Sequence, residues 1–409
     1  MTWYQRACRR WGFPAYLATL FLGAFNDNVS KLLVICFGTA ALGKGSPAAS
    51  TFMMLAAAGF ILPYLLFSSA AGFLADRFSK RGVMIWAKMA EIAIMAAGLV
   101  LAYHHALYGL LLVLFAMGSQ SAFFSPAKYG FLPETFPEER LSRANGLTQL
   151  FTFLAIIIGG WLGGMLSDAY IGNPAGGFGW CVGFAIAGTL SSVLITPTPG
   201  GDRASRFRLG DPIRPHWQTI KEIARDRTLL VAVLGNTFFW FLGTIFQLSL
   251  MVLVQNTLKG DSAMVGNLQG AVALGIGLGC VCAGLLSRGR IAYGFVTPAA
   301  LAMGATALLL ALFGGMVVPA FALTVLLGFC TGFYQLPLST AIQQRAPQGC
   351  RGRYIGASNA LDCLSMLAGS LFLWILQVAF HCDAREVIAV VAAIIFVAAA
   401  MLFKYLRWE

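Results

Sequence analysis

The chain has 409 residues, 58% hydrophobic and 11% charged, with a net charge of +12 and a mean hydropathy of +0.77. A water-soluble domain carries roughly 25% charged residues, so a soluble fold is excluded; the apolar residues recur in runs of about 20, the length that crosses a bilayer as a helix. No stretch alternates in the manner of a transmembrane barrel strand, and the 28 basic residues are spread over short loops without the aromatic-interleaved patch of a nucleic-acid binder.

In chain order the predicted spans are 14–39, 50–75, 83–103, 107–128, 143–167, 177–197, 228–255, 263–287, 292–314, 318–342, 354–380 and 386–405. The expected fold class is therefore an all-α polytopic membrane protein with twelve transmembrane helices. The first apolar run follows Arg9 and Arg10 and is longer than the h-region of a signal peptide, so it is expected to stay as the first helix. The longest polar connection, Thr198 to Arg227, falls between the sixth and seventh spans. It divides the chain into an N-terminal six-helix bundle (1–197), a cytoplasmic linker (198–227) and a C-terminal six-helix bundle (228–409). Within the linker, Trp217, Ile220, Ile223 and Ala224 recur at helical spacing among Lys221, Glu222 and Arg225, which predicts an amphipathic helix lying at the membrane surface.

With the N-terminus in the cytoplasm, the cytoplasmic segments hold Arg6, Arg9, Arg10, Arg77, Lys80, Arg81, Lys88 at a helix entry, Lys128, Arg140, Arg143, Arg203, Arg206, Arg208, Arg214, Lys221, Arg225, Arg227, Arg288, Arg290, Arg345, Arg351, Arg353, Lys404 and Arg407. Outside that side fall only Lys31, inside the first span, and Lys44, Lys259 and Arg385 in outer loops. Such a bias fixes orientation and supports the helix count, because a missed span would invert every later loop. The two halves also echo each other. Arg143-Ala-Asn-Gly146 opens the fifth span and Arg353-Tyr-Ile-Gly356 the eleventh, and the same shift of about 210 residues lays Phe25-Asn-Asp27 over Gly235-Asn236-Thr237.

Charges inside apolar spans are costly unless paired or wetted, and so mark functional candidates. Asp27 and Lys31 are four apart on one helix face and are expected to pair; Asn26 and Asn28 flank the acid, making the first span polar at mid-depth. Lys88 and Glu91, three apart in the third span, form a second expected pair, with a packing role as plausible as a functional one. Asp362 in the eleventh span has no local cation, which points to a watered cavity. Gln120, Gln149, Asn236, Gln247 and Gln335 add polar atoms in other spans. The substrate-binding candidates are Asn26, Asp27, Asn28, Lys31, Lys88, Glu91, Gln120, Asn236, Gln247 and Asp362. The glycine pairs Gly159/Gly163, Gly160/Gly164 and Gly275/Gly279 read as helix-packing positions. The nine cysteines are scattered and read as small core residues.

Enzymatic signals are weak. Gly38-Thr-Ala-Ala-Leu-Gly43-Lys44-Gly45 nearly spells a P-loop, but Gly45 stands where Ser or Thr is required and no strand precedes it. His104, His105, His216 and His381 each lack an Asp five positions on. No catalytic residue, metal or cofactor is expected.

The junction between the second and third spans, Gly72-Phe-Leu-Ala-Asp76-Arg77-Phe-Ser-Lys80-Arg81, resembles motif A of the major facilitator superfamily. The resemblance implies a 6+6 pseudo-symmetric major facilitator fold and a gating role for Gly72, Asp76, Arg77, Lys80, Arg81 and Arg143. Asp76 is expected to cap a helix start or to pair with Arg77 or Arg81. The matching loop of the second half, Gly284-Leu-Leu-Ser-Arg288-Gly-Arg290, lacks the acid, so only the first copy is expected to latch.

More narrowly, Ala24-Phe-Asn-Asp27-Asn28, Phe124-Ser-Pro126-Ala-Lys128-Tyr129-Gly130 and Ala144-Asn145-Gly146 resemble the bacterial lysophospholipid transporter family. The resemblance implies return of lysophosphatidylethanolamine and related lipids to the inner leaflet of the bacterial inner membrane by alternating access, with Asp27 as the headgroup-facing acid. Where members of the family can carry an arginine in the seventh span, this chain has Gln247, so Lys31 or Lys88 is expected to supply the charge for the phosphodiester. The chain stops directly after the last span, so any acyltransferase/acyl-carrier-protein synthetase partner is expected to be a separate protein, and the transporter a monomer. The alternative within transport is a proton-coupled exporter of drugs or small metabolites using Asp27 or Asp362.

Overall fold

A computed structural model of the chain describes residues 3–43, 46–170, 172–200, 214–260 and 262–405. Lys44 and Gly45 of the P-loop-like string, Arg203, Arg206 and Arg208 of the linker, and Arg407 lie outside the described residues, as do the side chains of Arg6, Arg9, Arg214, His216 and Lys404. The helices are α1 (Trp3–Leu42), α2 (Pro47–Arg77), α3 (Lys80–Tyr103), α4 (Leu107–Thr135), α5 (Glu138–Ala169), α6 (Pro174–Val193), α7 (Arg214–Ile223), α8 (Arg227–Val252), α9 (Ser262–Leu286), α10 (Val296–Phe313), α11 (Val317–Arg345), α12 (Arg351–Trp374) and α13 (Ala384–Tyr405). Every predicted span has its helix and the linker has α7; α1 to α5 and α11 run several residues past the apolar runs, whereas α10 lies inside its run of 292–314.

Helices are the outcome because hydrocarbon offers no water to backbone N–H and C=O groups, which must be met within the segment. The ends are set by local chemistry. Ser46 accepts from Ala49 N ahead of Pro47 at the start of α2, and Ser79 accepts from Gly82 N at the start of α3. Asp226 accepts from Thr228 N and Leu229 N at the start of α8. Among the described residues eleven of the helices are long and apolar enough to cross a membrane, and α6 is not one of them.

The chain packs as two compact units, one of 1–135, 155–223 and 346–360, the other of 136–154, 224–345 and 361–409. Relative to a division at the linker, the units exchange the first turns of α5 and of α12. In the first unit α2 packs on α4, α3 on α6 and α1 on α6; in the second α9 packs on α11, α10 on α13 and α8 on α13. The pairings repeat in chain order, the packing counterpart of the sequence echo. They are also made the same way. A Cβ on Gly118 of α4 would strike Phe60 O of α2, and one on Gly328 of α11 would strike Val272 O of α9, so both crossings depend on a glycine that lets backbones touch.

Gly159 and Gly163 pack against α1, and Gly275 and Gly279 against α11, as read from the sequence. Gly160 and Gly164 do not pack: an added Cβ on Gly160 meets nothing within 4 Å, and on Gly164 only Leu32 Cδ2 at 3.9 Å. They sit on the other side of a helix whose first glycine pair already makes the contact. The predicted apolar stripe of α7 also divides. Ile223 and Thr219 are buried, whereas Trp217 is 58% exposed with Lys221 Nζ 5.4 Å from its ring centre.

Candidate functional site

The first unit holds a continuous polar cluster inside apolar helices. Lys88 and Glu91 of α3 form an ion pair, both residues 0% exposed, and Asn26 Nδ2 of α1 donates to Glu91 Oε1 at 2.8 Å. Gln120 Nε2 of α4 donates to Ala87 O at 3.1 Å. Its neighbour Ser121 donates to Asp27 Oδ2 at 2.8 Å and stands 3.1 Å from Gln120 Oε1. The second carboxylate oxygen, Asp27 Oδ1, is buried with no hydrogen-bond partner, as is Asn26 Oδ1.

The expected Asp27–Lys31 ion pair does not form. Lys31 Nζ instead donates to Asn28 Oδ1 at 3.2 Å and lies 5.6 Å from the centre of the Phe60 ring. Sharing a helix face brings side chains near, but an α4 serine reaches Asp27 and a residue one turn back captures the lysine. Lys88 is likewise engaged by Glu91, so of the two cations considered for a phosphate it is the one already committed to an anion. Ser121 escaped sequence reading because a single serine in an apolar helix ordinarily bonds its own backbone.

The second unit carries its own network. Asp362 Oδ2 accepts from Asn236 Nδ2 at 2.9 Å and Oδ1 from Thr237 Oγ1 at 3.1 Å. Gln335 Nε2 reaches Asn236 Oδ1 at 3.4 Å and Gln149 Nε2 reaches Gln335 Oε1 at 3.2 Å. The acid that lacked a cation is met by two neutral donors, so no watered cavity is needed to account for it. Gln247 is exposed on α8 and lies away from this network. Asn145 and Gln343 form a separate reciprocal amide pair, at 3.0 and 2.8 Å.

Asp76 caps a helix start, but a distant one. Its Oδ1 accepts from Gly352 N at 2.5 Å and its Oδ2 from Arg353 N at 3.0 Å, at the first turn of α12, with Arg353 Nε at 3.5 Å. The arginine partner is thus Arg353, not Arg77 or Arg81. Arg81 donates to Val193 O at 2.7 Å and Arg77 lies beside the Phe78 ring at 5.8 Å. Lys80 donates to Ala75 O at 2.6 Å and pairs with Glu134 at 3.0 Å. Gly72 is what allows the approach: a Cβ there would meet Gly352 O at 2.5 Å, and one on Gly356 would meet Ser68 O at 2.5 Å. In the second unit a Cβ on Gly284 would meet Ser142 O at 2.9 Å and the Cα of the exposed Arg143 at 3.4 Å, and one on Gly146 would meet Cys280 O at 2.7 Å. There the only side-chain bond across the crossing that corresponds to the Asp76 cap is Ser142 Oγ to Arg290 O at 3.3 Å, among the described residues.

Two helical units whose pairings repeat, each with buried polar groups at mid-helix, have the fold of membrane solute transporters. The human organic anion transporter MFSD10 (TETRAN) matches with TM-score 0.76 at 15% identity, covering 95% of this chain and 99% of that one. The E. coli fucose:proton symporter FucP matches with TM-score 0.72 at 18% identity, covering 95% and 98%. In sequence, the chain is 30% identical to the lysophospholipid transporter LplT of Cronobacter sakazakii over 353 residues, 86% of this chain and 83% of the relative. It is 27% identical to LplT of E. coli K12 over 369 residues, 90% and 87% of the two chains. The Major Facilitator Superfamily pattern matches residues 15–370, and the chain belongs to that superfamily and, within it, to the family of the LplT proteins.

Proposed function

We propose that this protein is a lysophospholipid transporter that moves lysophosphatidylethanolamine and similar lysolipids from the outer to the inner leaflet of the bacterial inner membrane by alternating access, with both termini in the cytoplasm. The carrying observation is the half-satisfied carboxylate of Asp27, one oxygen held by Ser121 and the other buried without a donor. A buried acceptor without a partner costs about 1–3 kcal/mol, more when charged, and an ammonium headgroup supplies the missing donors. Lys31, which donates to Asn28 and lies beside an aromatic face, takes the phosphate. Asp76 and Gly72 serve as the gate, releasing the first turn of α12 during the cycle. The protein moves its substrate without transforming it, acts as a monomer, and hands the lysolipid to a separate acyltransferase/acyl-carrier-protein synthetase.

The test is uptake of labelled lysophosphatidylethanolamine into proteoliposomes, with a cationic dye as comparator. Saturable lysolipid uptake that Asp27→Ala abolishes and Lys31→Ala weakens is the expected result. Dye transport without lysolipid transport would replace this reading with a drug exporter.

A further inference from the structure

We propose that Asn26, held by the Glu91–Lys88 pair, is a positioning residue that sets where the Asp27 carboxylate stands and thereby the headgroup selectivity of transport; the inference rests on Asp27 being the headgroup acid. A buried ion pair is a poor device for stability, because desolvating two charges offsets their attraction and a well-packed apolar pair would serve as well or better. Its use here lies in what it holds. The Glu91 carboxylate spends one oxygen on Lys88 and the other on Asn26, so the pair grips α1 one residue before Asp27.

The gripping frame is itself fixed on every side. Thr189 Oγ1 of α6 donates to Lys88 O at 2.9 Å, and Gln120 of α4 donates to Ala87 O. The lysine stem runs through a slot walled by glycines: a Cβ on Gly188 would meet Lys88 Cε at 2.6 Å, and one on Gly23 would come within 3.5 Å of Nζ. Opposite α3, the same turn of α1 rests on α5, where a Cβ on Gly159 would meet Phe25 O at 2.6 Å and one on Gly163 would meet Val29 Cα at 3.1 Å. Glycine contacts fix the distance between helices but leave rotation free. The Asn26–Glu91 bond fixes rotation, and with it the direction of the next side chain, which turns toward Ser121. A binding group held this way loses little freedom when ligand arrives, which is the source of selectivity in a preorganised site. Asn236 occupies the equivalent position of the second half and grips Asp362 by the same amide atom at 2.9 Å; there the next residue, Thr237, is itself a donor to that acid, so the grip positions no free carboxylate.

Asn26→Ala leaves the ion pair in place and removes the tether. Transport of lysophosphatidylethanolamine and of lysophosphatidylglycerol is measured in proteoliposomes for wild type, Asn26→Ala and Asp27→Asn. The expected result for Asn26→Ala is a half-saturating concentration for the ethanolamine lipid raised about tenfold, the loss of one hydrogen bond to a charged group. Its maximal rate stays within about twofold, and its preference for ethanolamine over glycerol headgroup falls toward that of Asp27→Asn. Unchanged preference in Asn26→Ala beside a lost preference in Asp27→Asn overturns the inference. Unchanged preference in Asp27→Asn overturns instead the assignment of the headgroup acid. Should Asn26→Ala not accumulate, Asn26→Leu keeps the packing volume, removes the donor and reads the same two outcomes.

Discussion

In the proposed function Asp27 is the residue on which recognition turns, and Ser121 is the neighbour that donates to it. Ser121 is the hydrogen-bond donor to its carboxylate among the described residues, so the position of the oxygen it holds depends on a single hydroxyl. Replacing Ser121 by Ala should raise the half-saturating concentration for lysophosphatidylethanolamine about tenfold or more, the cost of one bond to a charge. Equilibrium binding of the lipid to detergent-purified protein checks it. The residue types at this site were legible in the sequence, because charges in an apolar run cannot be accidental. Their partners were legible only in part: spacing paired Lys88 with Glu91, as the structure has it, but it also paired Asp27 with Lys31, whereas the fold gives each of those a different, nearer partner.

At the scale of elements, the crossing of α2 with the start of α12 combines a cap, an ion pair and a glycine contact, and their magnitudes rank them. Arg353 is 44% exposed, so its pair with Asp76 contributes less than about 1 kcal/mol. A capping carboxylate is worth about 1 kcal/mol, up to 2, and the dipole of α12 adds to it. Asp76→Asn, which keeps an acceptor oxygen, should therefore retain more transport than Asp76→Ala, and Arg353→Ala should be milder than either. Initial rates of lysolipid uptake give the order; equal loss in Arg353→Ala and Asp76→Ala would show that the ion pair dominates. Gly72→Val should be the most damaging change in this region, since its Cβ lands on the carbonyl of Gly352, and the thermal unfolding temperature should fall with it. Motif A could be read as a sequence string, but that its acid caps a helix some 280 residues away could not.

For the whole molecule, the distribution of Lys and Arg predicts which loops face which side of the membrane. Cys350 lies between α11 and α12 and Cys382 between α12 and α13, so one helix separates them and they must face opposite compartments. In intact spheroplasts a membrane-impermeant maleimide should modify a variant retaining only Cys382, and should reach one retaining only Cys350 after permeabilisation; the reverse pattern would invert the topology. The linker belongs to this scale as well. Glu222 accepts from Tyr354 OH at 3.0 Å, which ties α7 to the same first turn of α12 that Asp76 caps. The sequence placed Ile223 on the apolar face, as found, but it did not show that Thr219 would be buried beside it while Trp217 stayed outside.

What the sequence alone determined was the number, order and register of the helices and the repetition of one half in the other. Hydrocarbon imposes that much locally, because each crossing needs about 20 apolar residues whose backbone satisfies itself. What only the tertiary structure decided was how each buried polar group is met: Asn26 by Glu91, Asp27 by Ser121, Asp362 by Asn236 and Thr237, Asp76 by the backbone of Gly352 and Arg353. Those partners sit on helices remote in the chain and brought close by glycine contacts. Nearest-neighbour spacing along one helix carries no information about them.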